Sequence, residues 1–313
     1  MQKMLNELMT EQPNERTTDI DLLETEQILS QINLEDQRVP MVVKDCLPEI
    51  TQAVNMIVAA FENQGRLFYV GAGSSGRIAL QDALECPPTY GTEPTLVQGI
   101  IAGGVDAHIN PNEEAEDDYE LGSGDMDRFG VTADDVVVGI SASGRTPYVL
   151  GAMERASQIG AKVIGLCNNH NTRMSMIADI VIEAVTGAEV VMGSTRMKSG
   201  TAQKLILNML STTAMIRRGK VYKNYMVDLQ PVNEKLVYRA KHIISLATGA
   251  TQQVVDQIYT ECEGNVKAAI IMILTQADHV EAYEALIQSK GNVRDALAMM
   301  NFMHDRRNIN KEK

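Results

Sequence analysis

Residues 66–77 read RLFYVGAGSSGR, a short apolar run that leads directly into a turn rich in glycine and serine. The apolar run predicts a buried strand, and the chain beyond Arg77 has the pattern of a helix as far as about Glu85. Pro87 and Pro88 are expected to stop this helix, because proline lacks a backbone N–H and its ring clashes with the preceding turn. Strand, tight turn and helix in this order predict the opening unit of an α/β fold.

The same alternation recurs downstream. Apolar stretches at residues 95–102, 135–140, 162–167 and 180–183 predict further strands, with helical or loop segments between them. Residues 103–128 are acidic and are expected to be rich in loops. This alternation specifies a parallel, doubly wound sheet with helices on both faces. Such sheets bind ligands at the carboxyl ends of their strands.

Helical patterns precede and follow the predicted sheet. Apolar residues recur at helical spacing in residues 20–33 and 42–63, and a mostly apolar helix is predicted over 201–217. The phrases GNVKAA at 264–269 and GNVRDA at 291–296 each look like a helix start after a turn. We therefore predict three parts: an N-terminal arm with helices at 1–64, an α/β domain with interface helices at 65–247, and a small all-α unit at 248–313.

The composition excludes several classes of function. The chain has 313 residues, 44% of them hydrophobic, and a formal net charge of −13 from 28 basic and 41 acidic residues. A negative field of this size repels phosphate backbones, so nucleic acid is not an expected partner. No apolar run reaches the ~20 residues that span a bilayer, and the N-terminus lacks the apolar core of a signal peptide. We expect a cytoplasmic protein that does not enter membranes.

The four cysteines are too far apart in sequence for metal-ligand spacing, and the histidines are scattered. We expect the cysteines to be buried free thiols in a reducing compartment, and we expect no metal ion. They are Cys46, Cys86, Cys167 and Cys262.

The turn at residues 71–76 formally matches the dinucleotide-binding pattern G-x-G-x-x-G. A dinucleotide site needs an acidic residue at the tip of the next strand, but that strand runs into Gly103 and Gly104. A phosphate cradle fits better, because glycines let backbone N–H groups approach an anion at a helix N-terminus. The candidate ligands are Gly73, Ser74 and Ser75, and a tight structural turn is the remaining alternative.

A second turn of the same kind follows the strand at 135–140. Ser141, Ser143 and Thr146 place three hydroxyls around Arg145 at a helix start, where simple N-capping is the structural alternative. Two such turns, each ending a strand of one sheet, favour a single phosphoryl group shared between them.

Further polar residues are candidates for the same site. Ser194 and Lys198 belong to a third polar patch before a helix, where a basic residue could offset substrate charge or be merely solvated. Glu85, at the end of the helix that starts at the first turn, is a candidate proton donor. The acidic run at 113–118 is either a solvated loop or a part of the site.

At these residues the chain resembles the N-acetylmuramic acid 6-phosphate etherases, a family built on the sugar isomerase (SIS) domain. The matching stretches run in family order from about residue 10 to residue 296. They include GAGSSGR at 71–77, ECPPTYG at 85–91, AEDD at 115–118, ASGRTPY at 142–148 and GSTRMK at 193–198.

The resemblance implies cleavage of the D-lactyl ether of a phosphorylated amino sugar, by elimination and then hydration, without a cofactor. It implies that Glu85 is the proton donor and that Glu116 is the second catalytic glutamate. It also implies a homodimer with a ubiquitin-associated-like helical unit at the C-terminus. Leu84 stands where the family usually has serine, and residues 110–114 depart from the family phrase before Glu116, so a non-catalytic sugar-phosphate sensor stays open as an alternative. An aldose–ketose isomerase, which would also use a carboxylate base at C2, is a third.

Overall fold

A computed structural model describes residues 8–110, 112–231 and 233–311. The described chain forms two compact units. The first takes the chain up to Glu85 together with Pro94–Thr212, and the second takes Cys86–Glu93 together with the chain from Thr213 onward. The first seven residues of the predicted arm lie outside the described residues. The predicted three-part division has its boundaries after residues 64 and 247, which differ from the boundaries of these two units. The three-part division stays a prediction.

The first unit contains a five-stranded parallel sheet in the order β2-β1-β3-β4-β5. Its strands are β1 (Leu67–Gly71), β2 (Val97–Ile101), β3 (Val136–Ser141), β4 (Lys162–Cys167) and β5 (Ile180–Glu183). In chain order, β2 pairs with one edge of β1, and β3 then pairs with the opposite edge of β1. The strand order therefore reverses between β1 and β3, which is where open α/β sheets form their ligand-binding crevice.

Helices cover this sheet. They are α1 (Thr25–Asp36), α2 (Val39–Asp45), α3 (Leu47–Glu62), α4 (Gly73–Tyr90), α5 (Glu113–Glu116), α6 (Tyr119–Arg128), α7 (Pro147–Ile159) and α8 (Lys198–Arg217). Short 3-10 helices occur at Met9–Glu11, Glu15–Thr17, Ile20–Leu22, Val105–His108 and Arg173–Met176. None of the helices in the described chain is long and apolar enough to cross a membrane.

The side chains of β1 alternate between two helical layers. Phe68 and Val70 belong to a buried cluster with α6 and α7 residues such as Met126 and Tyr148. Tyr69 faces the opposite way and hydrogen-bonds Asp82 of α4. Every residue of β1 and β3 is buried, as expected for a parallel sheet covered on both faces. The predicted doubly wound α/β class is confirmed.

Helix α4 continues through Pro87 and Pro88 to Tyr90, so the prediction that these prolines stop it is wrong. Pro87 and Pro88 cannot donate to the carbonyls of Ala83 and Leu84, so the helix lacks two hydrogen bonds near its end and continues for only two residues beyond Pro88. Gly91, at φ +57°, then donates its N–H to the Pro87 carbonyl at 2.9 Å and closes the helix.

The acidic segment at 103–128 is more helical than predicted. Asn112 caps α5 through the Ala115 N–H at 3.0 Å, and Asp118 caps α6 through the Leu121 N–H at 2.9 Å. The capping residues are visible in the sequence, but the helices behind them carry too few apolar residues to show a helical period.

The second unit contains a short hairpin and five helices among its described residues. They are β6 (Val221–Tyr222), β7 (Tyr225–Met226), α9 (Glu234–Thr248), α10 (Gln252–Glu261), α11 (Val266–Thr275), α12 (His279–Gln288) and α13 (Val293–Lys311). The two predicted helix starts are confirmed, since Asn265 caps α11 and Asn292 accepts from the Arg294 N–H at 2.9 Å. Lys267 of α11 pairs with Asp228 and donates to the Gly291 carbonyl at 2.8 Å, so it links the two related phrases.

Candidate active site

Two polar loops leave the sheet side by side at the crevice. The first loop (residues 71–76) follows β1, and the second loop (residues 141–146) follows β3. In the register of the two strands, Gly71 lies opposite Ile140. The loops therefore start at the same level at the carboxyl edge, as the sequence predicts.

The first loop turns tightly into α4. A Cβ atom placed on Gly71 would lie 2.7 Å from the Gly76 nitrogen, so the close turn requires glycine there. Gly73 begins the helix with φ +50°, a conformation that favours glycine. Ser74 is half-buried and Ser75 is buried in the first helical turn, where backbone N–H groups lack helical acceptors. This arrangement suits an oxyanion.

The second loop forms a compact cluster of hydroxyls. Ser141 Oγ lies 2.8 Å from Thr146 Oγ1 and 3.2 Å from Ser143 Oγ. Ser141 Oγ also accepts the Gly144 N–H at 3.0 Å, and Ser143 Oγ accepts the Arg145 N–H at 3.2 Å. The hydroxyls are therefore fixed in place before any ligand arrives.

Glu116 connects the two loops. Its half-buried side chain hydrogen-bonds the Thr146 side chain of the second loop. Its Oε2 atom would lie 3.8 Å from a Cβ atom placed on Gly73 of the first loop. Burial, reinforced by repulsion from Asp117, raises the pKa of the Glu116 carboxyl above its ordinary value. A carboxylate with a raised pKa beside an anion cradle is suited to removing a proton.

Glu85 does not reach this cluster within one chain. It lies on α4, ten residues after Ser75, and a helix rises ~1.5 Å per residue, so the two are about 15 Å apart along the axis. Both Glu85 and the neighbouring Leu84 are exposed, Leu84 by 62% of its surface. The predicted proton donor is therefore exposed and about 15 Å along the helix from the first loop of its own chain.

The hydrogen bonds of Lys198 and Ser194 are made to residues outside the two loops. The Lys198 side chain is 0% exposed, and its ammonium donates to Glu35 Oε2 at 2.7 Å. This buried pair argues against the prediction that Lys198 binds the substrate, since binding would require the pair to separate. Ser194 is half-buried in the turn before α8, and its N–H donates to the Val191 carbonyl at 3.0 Å.

Glu35 is a buried carboxylate that joins separate segments of the chain, and the sequence does not reveal this role. It pairs with Arg16 and accepts from Asn14 Nδ2 at 3.1 Å as well as from Lys198. These donors, Arg16 first, lower the pKa of the Glu35 carboxyl to about 2. The N-terminal segment is therefore tied to α1 and α8.

Asn169, two residues beyond the end of β4, supports the second loop. Its Nδ2 atom donates to the Ala142 carbonyl at 2.9 Å and lies 3.1 Å from Thr10 Oγ1, while its Oδ1 accepts the Met9 N–H at 2.7 Å. Sequence reasoning missed this residue. Two asparagines directly after a buried strand, at the edge where ligands bind, were the available signal.

The four cysteines are buried and free. Among the residues that the structure describes, no group of three or more His, Cys, Asp or Glu side chains could hold a metal ion.

Known proteins resemble this chain over most of its length. Two family models match: the glucokinase regulatory protein N-terminal SIS domain over residues 49–157, and the SIS domain over residues 110–213. The structure of a phosphoheptose isomerase from Neisseria gonorrhoeae is a more distant likeness, with 18% identity, a TM-score of 0.48, and coverage of 61% of this chain and 98% of that one.

Two curated relatives are much more similar. The N-acetylmuramic acid 6-phosphate etherase of Bacillus mycoides (strain KBAB4) is 49% identical and covers 94% of this chain and 100% of its own. The protein of that name from Caldanaerobacter subterraneus subsp. tengcongensis is 50% identical and covers 94% of this chain and 96% of its own. The chain therefore belongs to the N-acetylmuramic acid 6-phosphate etherase family.

Proposed function

We propose that this protein cleaves the D-lactyl ether of N-acetylmuramic acid 6-phosphate and releases N-acetylglucosamine 6-phosphate and D-lactate, as a carbon–oxygen lyase in cell-wall sugar recycling. Relatives of about 50% identity that carry the etherase name favour this activity over the regulatory sensor and the isomerase. The observation that carries the proposal is the position of Glu116 against both hydroxyl-rich loops.

The loops would hold the 6-phosphate. Backbone N–H groups at the start of α4 and the hydroxyls of Ser74, Ser75, Ser141, Ser143 and Thr146 supply the donors. The phosphate is remote from the reacting carbons, so binding it positions the sugar ring and takes no part in making or breaking bonds.

Two glutamates would then divide the proton transfers. Glu116 removes the C2 proton of the ring-opened sugar, which the C1 aldehyde acidifies. The electron pair forms the C2–C3 double bond as the C3–O bond breaks, and Glu85 donates a proton to the departing lactate oxygen. Water then adds its hydroxyl to C3 and a proton to C2. Each positioned proton transfer is typically worth ~10²–10⁴-fold in rate.

The distance between Glu85 and the loops of its own chain supports a homodimer with shared sites. About 15 Å of helix separates Ser75 from Glu85, which is too far for both to contact one sugar phosphate. In the proposed dimer, Glu85 of one copy completes the site that Glu116 and the loops form in the other. A two-fold axis would build two such sites. The buried free cysteines suit a reducing cytoplasm.

The activity is tested by incubating the purified protein with N-acetylmuramic acid 6-phosphate and measuring D-lactate with a coupled dehydrogenase. We expect lactate in a one-to-one ratio with N-acetylglucosamine 6-phosphate. Folded protein that binds the substrate but releases no lactate would refute the proposal.

The shared site has its own test. Glu85→Gln and Glu116→Gln should each be nearly inactive while keeping their affinity for N-acetylglucosamine 6-phosphate. After the two variants are mixed and their subunits exchanged, about half of the dimers are mixed, and one of their two sites is intact, so about a quarter of wild-type activity should return. No recovery after verified exchange would place both glutamates in one chain's site, and lost product binding in Glu85→Gln would make Glu85 structural.

A further inference from the structure

A cavity of about 630 Å³ lies beside the second loop, along the outer surface of α7. We call it the arginine cavity. Its lining includes Arg145, Arg173, Leu150, Glu154, Tyr119 and Ile177. The cavity combines an apolar floor with two cationic side chains.

Within the described residues, no carboxylate forms an ion pair with either arginine. Arg145 Nε is fully buried and has no hydrogen-bond partner among the described residues. Arg173 takes part in none of the ion pairs found within the described chain. A buried guanidinium nitrogen without an acceptor is costly, so an oxyanion in the cavity would satisfy it.

The single carboxylate in the lining does not serve this purpose. Glu154 accepts the Tyr119 hydroxyl at 2.5 Å. That hydrogen bond raises the pKa of Tyr119 to about 12, so the hydroxyl keeps its proton and remains a donor to Glu154. With two guanidinium groups and one carboxylate, the cavity carries a net positive charge in an acidic protein.

The position of the cavity links it to the phosphate cradle. A Cβ atom placed on Gly144 would lie 2.4 Å from Thr172 Cβ, so these two residues touch. Arg145 and Arg173 are the next residues after this contact on each segment. Arg145 belongs both to the second loop, where its N–H donates to Ser143 Oγ at 3.2 Å, and to the lining of the arginine cavity. The cavity therefore adjoins the loop that forms half of the cradle.

We propose that the arginine cavity binds the second anionic group of the substrate, the carboxylate of its lactyl ether. The inference rests on the proposed function, which supplies a substrate with both a phosphate and a carboxylate. The planar fork of a guanidinium matches a carboxylate through two parallel hydrogen bonds. Leu150 and Ile177 provide apolar surface for the lactyl methyl group. The cradle then recognises what substrate and product share, and the cavity recognises what only the substrate carries.

The test compares two ligands that differ by the lactyl group. In a Glu85→Gln background, which prevents turnover, calorimetry should show N-acetylmuramic acid 6-phosphate binding more tightly than N-acetylglucosamine 6-phosphate. Adding Arg173→Gln should weaken the first ligand about tenfold, as expected for the loss of a charge-assisted pair, and leave the second within about twofold. Arg173→Lys keeps the charge without the fork and should give an intermediate loss. Arg155→Gln is the control, because Arg155 lies on α7 beside the cavity, is not among the lining residues and pairs with Asp127 at 2.8 Å.

In the otherwise wild-type enzyme, Arg173→Gln should raise KM by a similar factor and change kcat little. Equal weakening of both ligands, or of neither, overturns the proposal. A change in oligomeric state with unchanged ligand affinities also overturns it and assigns the arginine cavity to an interface. The binding comparison needs no turnover, so a wild-type protein that releases no lactate would refute the proposed function and leave the cavity separately testable.

Discussion

The ion pair between Glu35 and Lys198 makes a strong prediction about stability. Glu35 is 2% exposed and the Lys198 side chain is 0% exposed, with 2.7 Å between Oε2 and Nζ. Replacing Glu35 by Gln leaves the ammonium buried without a counter-charge. Breaking a buried pair in this way typically costs about 3–5 kcal/mol in free energy of unfolding.

The pKa of Glu35 gives an independent magnitude. Lowering this pKa from 4.5 to about 2 corresponds to about 3 kcal/mol, at ~1.4 kcal/mol for each pH unit. Because the folded-state pKa is the lower one, the contribution is fully present above pH 4.5 and is lost as the pH falls towards 2. Both routes therefore predict a loss of about 3 kcal/mol or more at pH 7 for Glu35→Gln.

Urea unfolding at pH 7 measures this loss. Glu26→Gln is the matched control, since Glu26 is exposed on the same helix and its replacement should change the free energy of unfolding by under about 0.5 kcal/mol. The double variant Glu35→Gln/Lys198→Met should recover most of the loss, because it removes the stranded charge. A Glu35→Gln variant that loses less than about 1 kcal/mol, or a double variant no more stable than the single one, would refute this reasoning.

Three further predictions concern the site and its support. Because burial raises the pKa of Glu116, the acid limb of the pH profile of kcat/KM should lie above pH 4.5, and a limb below it would exclude Glu116 as the base. Burial also raises the pKa of Asp82, so ionisation of this carboxyl lowers the free energy of unfolding as the pH rises above 3.8. Between pH 4 and pH 7, urea unfolding should therefore show the free energy of unfolding of Asp82→Asn rising relative to that of the wild type. A difference that stays constant would contradict this. Gly144→Ala should lose about 1–3 kcal/mol and weaken sugar-phosphate binding, because Gly144 has φ +64° and a Cβ there would clash with Thr172. Unchanged stability and affinity would show that the loop adapts.

The sheet and its loops could be predicted from the sequence because their signals are local. Strands β4 and β5 have the predicted bounds, since each is a short run of apolar residues between polar segments. Both loops follow from glycine and hydroxyl residues placed directly after a strand. Their meeting at one crevice follows from the parallel topology, without any knowledge of side-chain contacts.

The charge pairing could not be predicted, because the partners are distant in sequence. Lys198 reads as an exposed base near a helix start, but it pairs with a residue 163 positions away. The separation of Glu85 from the loops is a different case, since the helical rise from Ser75 already implies it. Pro87 and Pro88 were misleading by a few residues only, because α4 tolerates the loss of two hydrogen bonds and ends at Tyr90 rather than before Pro87.

Residues 8–17 have little apolar character, yet they bond to the segments that follow β4 and β5. Met9 and Thr10 contact Asn169, which in turn binds the Ala142 carbonyl of the second loop. Affinity for a sugar phosphate can therefore change through alterations near the start of the chain that touch no ligand. An affinity tag joined there, or a trimmed version of the protein, would perturb binding measurements in a way easily mistaken for damage to the catalytic residues.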